Sequence, residues 1–179
     1  MKAVPKLSTI VRQIAHRHGV DLDRPGAYLR LTLAGHGQLV IENIGAGRVS
    51  VANYIEVGND QVADPQIVVY TRVSQVSSGP DMGEAAWVPI EFTELFGGWR
   101  LYAEVDNQGD LMLYDPTGQV ALADYCERTI ARNLQRHGWL EHGVRGHLPA
   151  YVWTDDEIRA RDIRFDELAF LEEDDDVPF

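Results

Sequence analysis

Hydrophobic and polar residues alternate over several short segments in the first two-thirds of the chain. Tyr28–Leu33 alternates strictly, and Gly-rich turns at residues 35–37 and 45–47 separate it from residues 38–44 and from Arg48–Val57. Alternation with a period of two sends successive side chains to opposite faces of a strand, and tight turns join antiparallel neighbours. The pattern therefore predicts an antiparallel meander. Its further strands are expected at residues 67–73, 87–92, 99–105 and 111–114.

Helical patterns flank this strand-rich region. Residues 8–18 have an apolar stripe at helical spacing and predict a helix capped by Ser8. Pro116 and Gly138 bracket the strongest helical pattern, because proline favours the first turn of a helix and glycine the position after its last turn. A capping-box sequence predicts a final helix over residues 154–171. On the main helix the inward positions are expected to be Val120, Ala123, Cys126, Ile130 and Leu134.

These elements predict an α+β protein in which one long helix packs on an antiparallel meander. Residues 1–153 are expected to form a single domain, followed by the helix at 154–171 and an acidic tip at 172–179. By analogy of architecture alone, a meander closed by a helix resembles single-strand binders of the Whirly and transcription-coactivator type. An OB-fold-like barrel is the alternative, although an OB-fold has fewer strands before its main helix.

The charge of the chain is uneven. The 179 residues have a formal net charge of −12. Residues 154–179 contain 11 acidic residues and three arginines, whereas residues 1–153 contain 17 acidic and 13 basic residues. The overall negative sign therefore describes the C-terminal segment more than the domain, and it does not exclude a nucleic-acid partner for the domain.

The cysteine count and the hydropathy pattern predict the compartment. Cys126 is the only cysteine, so an internal disulfide is excluded and a reducing environment is expected. No apolar run approaches the roughly 18 residues of a membrane span, and the first residues lack the features of a signal peptide. The sequence predicts a cytoplasmic protein without a membrane partner.

Tyrosine and arginine share strand faces in a way that predicts a binding surface. When the leucines and valines of each strand face the core, four strands each place a tyrosine and an arginine on the other side. Aromatic rings stack on any base and arginines neutralise phosphates, which suits single-stranded DNA. The same residue types are also common on half-exposed strands that bind nothing. The predicted DNA-binding residues are Tyr28, Arg30, Arg48, Tyr54, Tyr70, Arg72, Arg100 and Tyr102.

The last eight residues, EEDDDVPF, combine five carboxylates with an aromatic end. Acidic residues alone serve solubility, but a terminal Phe does not. Phe179 can instead insert into a partner's pocket while the aspartates face a basic rim, and burying one Phe side chain contributes about 1.5–3 kcal/mol. Such an anchor suits weak and exchangeable docking on several partners.

This tip resembles the C-terminal tip of bacterial single-stranded DNA-binding proteins, which end in aspartates, an aliphatic residue, Pro and Phe. The resemblance implies that the tip docks replication, recombination and repair enzymes, including helicases, nucleases and polymerase accessory subunits. The resemblance covers only the tip. That family has an OB-fold body and a long flexible linker, whereas in this chain the predicted helix at 154–171 leads directly into the tip. The docking residues it implies are Asp174, Asp175, Asp176, Val177, Pro178 and Phe179.

Other constellations predict no chemistry. His137, His142 and His147 recur at a spacing of five without a Cys partner or helical i,i+4 spacing, so no metal site is expected. Cys126 lies on the inward stripe of a helix and is expected in the core rather than as a nucleophile. We therefore predict no enzyme activity and no cofactor.

Two functions remain open from the sequence. The first is a protein that coats single-stranded DNA, recruits DNA-processing enzymes through its tip, and belongs to a phage or plasmid. The alternative is an adaptor or decoy that occupies the tip-binding pockets of those enzymes without binding DNA. A homodimer is suggested only by analogy with other single-strand binders.

Overall fold

The computed structural model of the protein describes residues 1–73, 86–106 and 109–146, with Arg72 and Val73 described only in their backbone. His147, the predicted helix at 154–171 and the docking tip lie outside the described residues. The predictions for these segments, and the domain boundary at residue 153, stay predictions.

Seven strands form one antiparallel sheet in the order β6-β5-β4-β3-β2-β1-β9. The predicted meander and the α+β class are confirmed, because β1 to β6 are neighbours in chain order. β1 and β3 have the predicted bounds. The described sheet has two edges, β6 and β9, so the barrel alternative is wrong. The strands are β1 (Tyr28–Leu33), β2 (Gly37–Gly45), β3 (Arg48–Val57), β4 (Asp60–Val73), β5 (Ala86–Glu94), β6 (Gly98–Leu101) and β9 (Val144–Arg145).

The segment predicted as one strand at residues 99–105 is in fact two strands. β6 belongs to the main sheet, whereas β7 (Ala103–Val105) pairs with β8 (Leu111–Leu113) in a separate hairpin. The chain changes sheets at Tyr102, whose backbone N–H donates to the Ile90 carbonyl (2.8 Å) and whose carbonyl accepts from the Tyr114 N–H (3.0 Å). A strict alternation of residue types continues across this break, which is why the sequence does not reveal it.

The helices pack on one face of the sheet, here called the helix face. They are α1 (Pro5–Arg17), α2 (Pro116–Tyr125), a π-helical turn at Cys126–Ile130, α3 (Ala131–Arg136) and α4 (Trp139–His142). The main core lies between this layer and the inward residues of β1 to β5, such as Leu31, Ile41 and Val51. Within the described ranges, no helix is long and apolar enough to cross a membrane.

Two details of the helices differ from the sequence prediction. α1 begins at Pro5, and Ser8 is a buried residue inside it rather than its cap. On α2, Val120 is 38% exposed whereas Gln119 and Leu122 are buried, so the predicted inward position of Val120 is wrong, while Ala123 and Leu134 are buried as predicted. The π-helical turn then separates the buried Cys126 and Ala131 by five residues. The predicted core position of Cys126 is confirmed.

The opposite face of the sheet, here called the open face, is covered only in part. The β7–β8 hairpin packs over the middle of β4 and β5 and forms a second apolar cluster that includes Val68, Tyr70, Val88, Ile90 and Ala103. Both faces of β4 are therefore buried over residues 67–70. The outward residues of β1, β2 and β3 belong to neither apolar cluster, apart from Ile44 at the end of β2.

Candidate nucleic-acid interface

Three of the predicted DNA-binding residues lie together on the open face. Tyr28 stands opposite Glu42 in the β1–β2 register, Arg30 opposite Val40, and Gln38 opposite Tyr54 of β3. Directly opposed residues of antiparallel strands share a face, so these side chains are neighbours. We call Tyr28, Arg30, Gln38, Glu42 and Tyr54 the open-face cluster.

Polar contacts order the open-face cluster. Arg30 Nε donates to Gln38 Oε1 at 2.6 Å, and Arg30 Nη2 donates to the same oxygen. Burial raises the pKa of the Tyr28 hydroxyl; nearby Arg30 opposes this shift, whereas Glu42 and Tyr54 add to it. Tyr28 is therefore neutral at physiological pH and presents a half-buried ring rather than a charge.

A line of opposed residues crosses the open face from β1 to β6. The strand registers connect these residues pairwise, and they end at Trp99 on the edge strand. We call this line the cross-sheet row. At about 4.8 Å per strand its five steps span about 24 Å. Its members are Arg30, Val40, Ala52, Gln66, Thr93 and Trp99.

The composition of the cross-sheet row suits a flat, extended ligand. The side chains between its ends are small or uncharged, and Gln66 Nε2 donates to Ser50 Oγ at 2.8 Å. Trp99 is 60% exposed, and its Nε1 donates to Glu91 Oε2 at 3.0 Å, which orients the indole on this face. Arg30 and the neighbouring Tyr54 occupy the other end. The row can therefore stack bases at both ends and neutralise a phosphate at one.

The structure corrects the sequence prediction for Tyr70. Tyr70 does point away from the helix face, but it is only 4% exposed because the β7–β8 hairpin covers it. Its hydroxyl donates to the Gly109 carbonyl at 3.0 Å. The ring is a core residue of the second cluster, so the prediction that it stacks on a base is wrong for this conformation.

Arg100 and Tyr102 are also corrected. Arg100 stands opposite Phe92, which belongs to the main core, so Arg100 is on the helix face. Tyr102 packs against the same core, and both line a shallow pocket with Leu122 and Tyr125 of α2. The prediction that Arg100 and Tyr102 face outward is therefore wrong, and these two side chains do not join the open-face cluster.

Arg48 and Arg72 are the two remaining arginines of the predicted DNA-binding set. Arg48 begins β3, is half-buried and stands opposite Tyr70, beside the hairpin and apart from the cross-sheet row. The Arg72 side chain lies outside the described residues.

The open face also carries carboxylates, since Glu42 and Glu91 lie in the line of residues next to the cross-sheet row. Its charge is therefore mixed rather than basic.

Sequence reasoning missed the two most exposed aromatic side chains of this edge. Because leucines are expected to face the core, the parity that Trp99 shares with Leu101 predicts a core position, yet Trp99 is 60% exposed. Phe96 in the β5–β6 turn is 97% exposed. The signal that identifies Trp99 is the register with β5, where Thr93 rather than Phe92 stands opposite it. Within the described ranges, no group of three or more His, Cys, Asp or Glu residues is arranged to hold a metal ion.

Comparison with known families identifies the family of this chain. Residues 9–140, which include strands β1 to β6, the β7–β8 hairpin and the main helix, match the family described as "Domain of unknown function (DUF6908)". The chain belongs to the DUF6908 family. No curated protein and no solved structure matches it. In this DUF6908 member the matched range ends before the predicted acidic tip, so the tip and the open face are separate grounds for any functional argument.

Proposed function

We propose that this DUF6908 protein binds single-stranded DNA along the cross-sheet row and recruits DNA-processing enzymes through its C-terminal tip. The observation that carries the DNA-binding part is the row itself, in which Arg30 and Trp99 stand about 24 Å apart with only uncharged residues of the row between them. Stacking on aromatic rings is tolerant of sequence, so coating of any single strand is the matching activity.

The tip supports the recruiting part independently of the sheet. Its aspartates, aliphatic residue, Pro and terminal Phe resemble the docking peptide of bacterial single-stranded DNA-binding proteins. The partners would be the helicases, nucleases and polymerase accessory subunits that accept such a peptide, and the two activities would be combined in the cytoplasm. An open meander with helices on one face also favours the Whirly and coactivator analogy over a barrel, and with it a homodimer that extends the surface.

A second candidate is an adaptor or decoy that carries the tip and binds no DNA. The observations that favour it are the carboxylates of Glu42 and Glu91 beside the row and the burial of Tyr70. Like charges near a phosphate backbone oppose binding, and Arg30, the one arginine of the cross-sheet row, neutralises little of the backbone charge.

Fluorescence anisotropy with labelled oligo(dT) at low salt separates the two candidates. If DNA binds along the row, Trp99→Ala and Tyr54→Ala should each cost about 1–3 kcal/mol of binding free energy. Tyr125→Ala is the matched control, because Tyr125 is also partly exposed but lies on the helix layer. Arg30→Ala should reduce the slope of log affinity against log salt by about one. No binding by the unaltered protein would leave the adaptor as the function.

A separate experiment tests the tip. Removing Phe179 should abolish binding of an enzyme that accepts the tip of bacterial single-stranded DNA-binding proteins. The same deletion should leave oligo(dT) affinity unchanged or higher, since the acidic tail competes with DNA for basic groups. Docking that survives the loss of Phe179 would contradict the tip assignment without touching the DNA-binding result.

A further inference from the structure

A cavity of about 450 Å³ lies between the helix face of the sheet and the C-terminal half of the main helix. This volume falls in the range of small-molecule sites, which are typically about 300–1,000 Å³. Its described lining contains none of the predicted DNA-binding residues. Its buried apolar floor consists of Leu39, Val51, Ile67, Leu134 and Trp139.

Irregular backbone lies beside the cavity on both sides. On the sheet side, Asn53 stands opposite Leu39 and so shares the helix face with it, and an irregularity of β4 between Ala63 and Gln66 places Pro65 in the lining. On the helix side, the π-helical turn ends at Ile130, and the residues after it bring Asn133 and Leu134 to the cavity. π-helical turns inside α-helices occur frequently at functional sites because the extra residue redirects the side chains that follow.

Two stacked histidines stand at the mouth of the cavity. His36 in the β1–β2 turn and His137 after α3 have ring centroids 4.1 Å apart with an interplanar angle of 21°. His137 is exposed and His36 is half-buried, so the mouth opens between the turn and the helix end. Desolvation, followed by the neighbouring His36, lowers the pKa of His137, which keeps that ring neutral at physiological pH.

The polar groups of the lining select against anions. Asn53 Nδ2 donates to the Asp64 carbonyl at 3.3 Å, and the second carboxamide is that of Asn133. Among the described lining residues there is no Lys or Arg, and Glu56 is the one carboxylate. A phosphate or carboxylate ligand would therefore lose its hydration without a compensating cation, which is costly.

We propose that this cavity binds an uncharged, largely apolar ring compound whose polar edge meets the carboxamides of Asn53 and Asn133. The floor supplies apolar contact, the two carboxamides supply both donors and acceptors, and the stacked histidines form a flat wall. The site is on the opposite side of the sheet from the cross-sheet row, so it does not depend on DNA binding.

Two dyes with one scaffold test the proposal on the full chain. N-phenylnaphthylamine is uncharged, whereas anilinonaphthalene sulfonate carries a negative group on the same rings, and both fluoresce more strongly in apolar sites. We expect the uncharged dye to bind at least about tenfold more tightly, because the described lining of the cavity contains no Lys or Arg. Asn133→Trp fills the cavity and should weaken the uncharged dye at least about tenfold, whereas Arg136→Trp on the same helix should change it less than about twofold.

A second measurement covers the case in which Asn133→Trp fails to fold. In amide NMR spectra of the unaltered protein, the uncharged dye should shift the side-chain amide signals of Asn53 and Asn133 and the indole signal of Trp139. Equal or tighter binding of the sulfonate would overturn the proposal. So would unchanged binding by a folded Asn133→Trp variant, or shifts confined to other residues.

Discussion

Glu127 is expected to stabilise the fold by capping a helix that is far away in the sequence. α1 has Val4 at its N-cap position, with no side-chain cap and no acidic residue in its first turn. Glu127 Oε1, from the π-helical turn, accepts the backbone N–H groups of Lys6 (2.8 Å) and Leu7 (3.1 Å). The first N–H groups of a helix have no partner within it, so these two bonds replace a local cap.

The magnitude follows from what each substitution removes. Glu127→Ala removes the cap, worth about 0.5–2 kcal/mol, and a negative charge at the positive end of the helix dipole, worth about 0.3–1 kcal/mol. Because the site is only partly buried, we expect a loss of about 1–2 kcal/mol in the free energy of unfolding. Glu127→Gln keeps an accepting oxygen and loses only the charge, so about 0.3–1 kcal/mol is expected.

Urea denaturation followed by far-ultraviolet circular dichroism measures both variants. Glu141→Ala is the control, since it removes an exposed carboxylate from the short helix α4 and should stay within about 0.5 kcal/mol of the unaltered protein. In thermal melts the Glu127→Ala loss corresponds to about 2–8 °C for a chain of this size. If Glu127→Ala and the control destabilise equally, or if Glu127→Gln is the more harmful of the two, the capping argument is refuted.

Three further predictions use single sites. Gly37→Ala should cost more than about 2 kcal/mol of unfolding free energy in the same assay, because Gly37 has φ +73° and a Cβ there would lie 2.4 Å from the Tyr54 carbonyl oxygen. An unchanged free energy of unfolding would contradict this backbone geometry. Burial raises the pKa of the Cys126 thiol to about 12, so a thiol reagent at pH 8 should react only after denaturation, and fast native labelling would be inconsistent with its burial. The pKa of His137 is lowered in the folded state, so its contribution to stability is present above about pH 6.5 and is lost as the pH falls through the folded-state pKa. His137→Gln should flatten this decline of the unfolding free energy in denaturation curves between about pH 5 and 7.5. An unchanged decline would contradict the lowered pKa of His137.

The candidate interface was predictable only where one face of the sheet is free. For β1 to β3, inward leucines and valines leave Tyr28, Arg30 and Tyr54 on the outer side, as their parity predicts. For β4, residues 67–70 are all buried, so alternation cannot say which side meets solvent. The cavity could not be predicted from the sequence, because it forms between β2 to β4 and the helices, and the π-helical turn that precedes Asn133 and Leu134 leaves no simple repeat.

The sequence by itself determined the local elements. Period-two alternation and Gly turns defined β1 and β3 to the residue, and Pro116 began the main helix, because these signals act between neighbours in the chain. Tertiary structure alone decided which face of β6 is outward, how the hairpin covers Tyr70, and how Glu127 reaches α1 across the chain. The physical reason is that a periodic pattern of residues distinguishes the two faces of an element but does not determine what each face packs against.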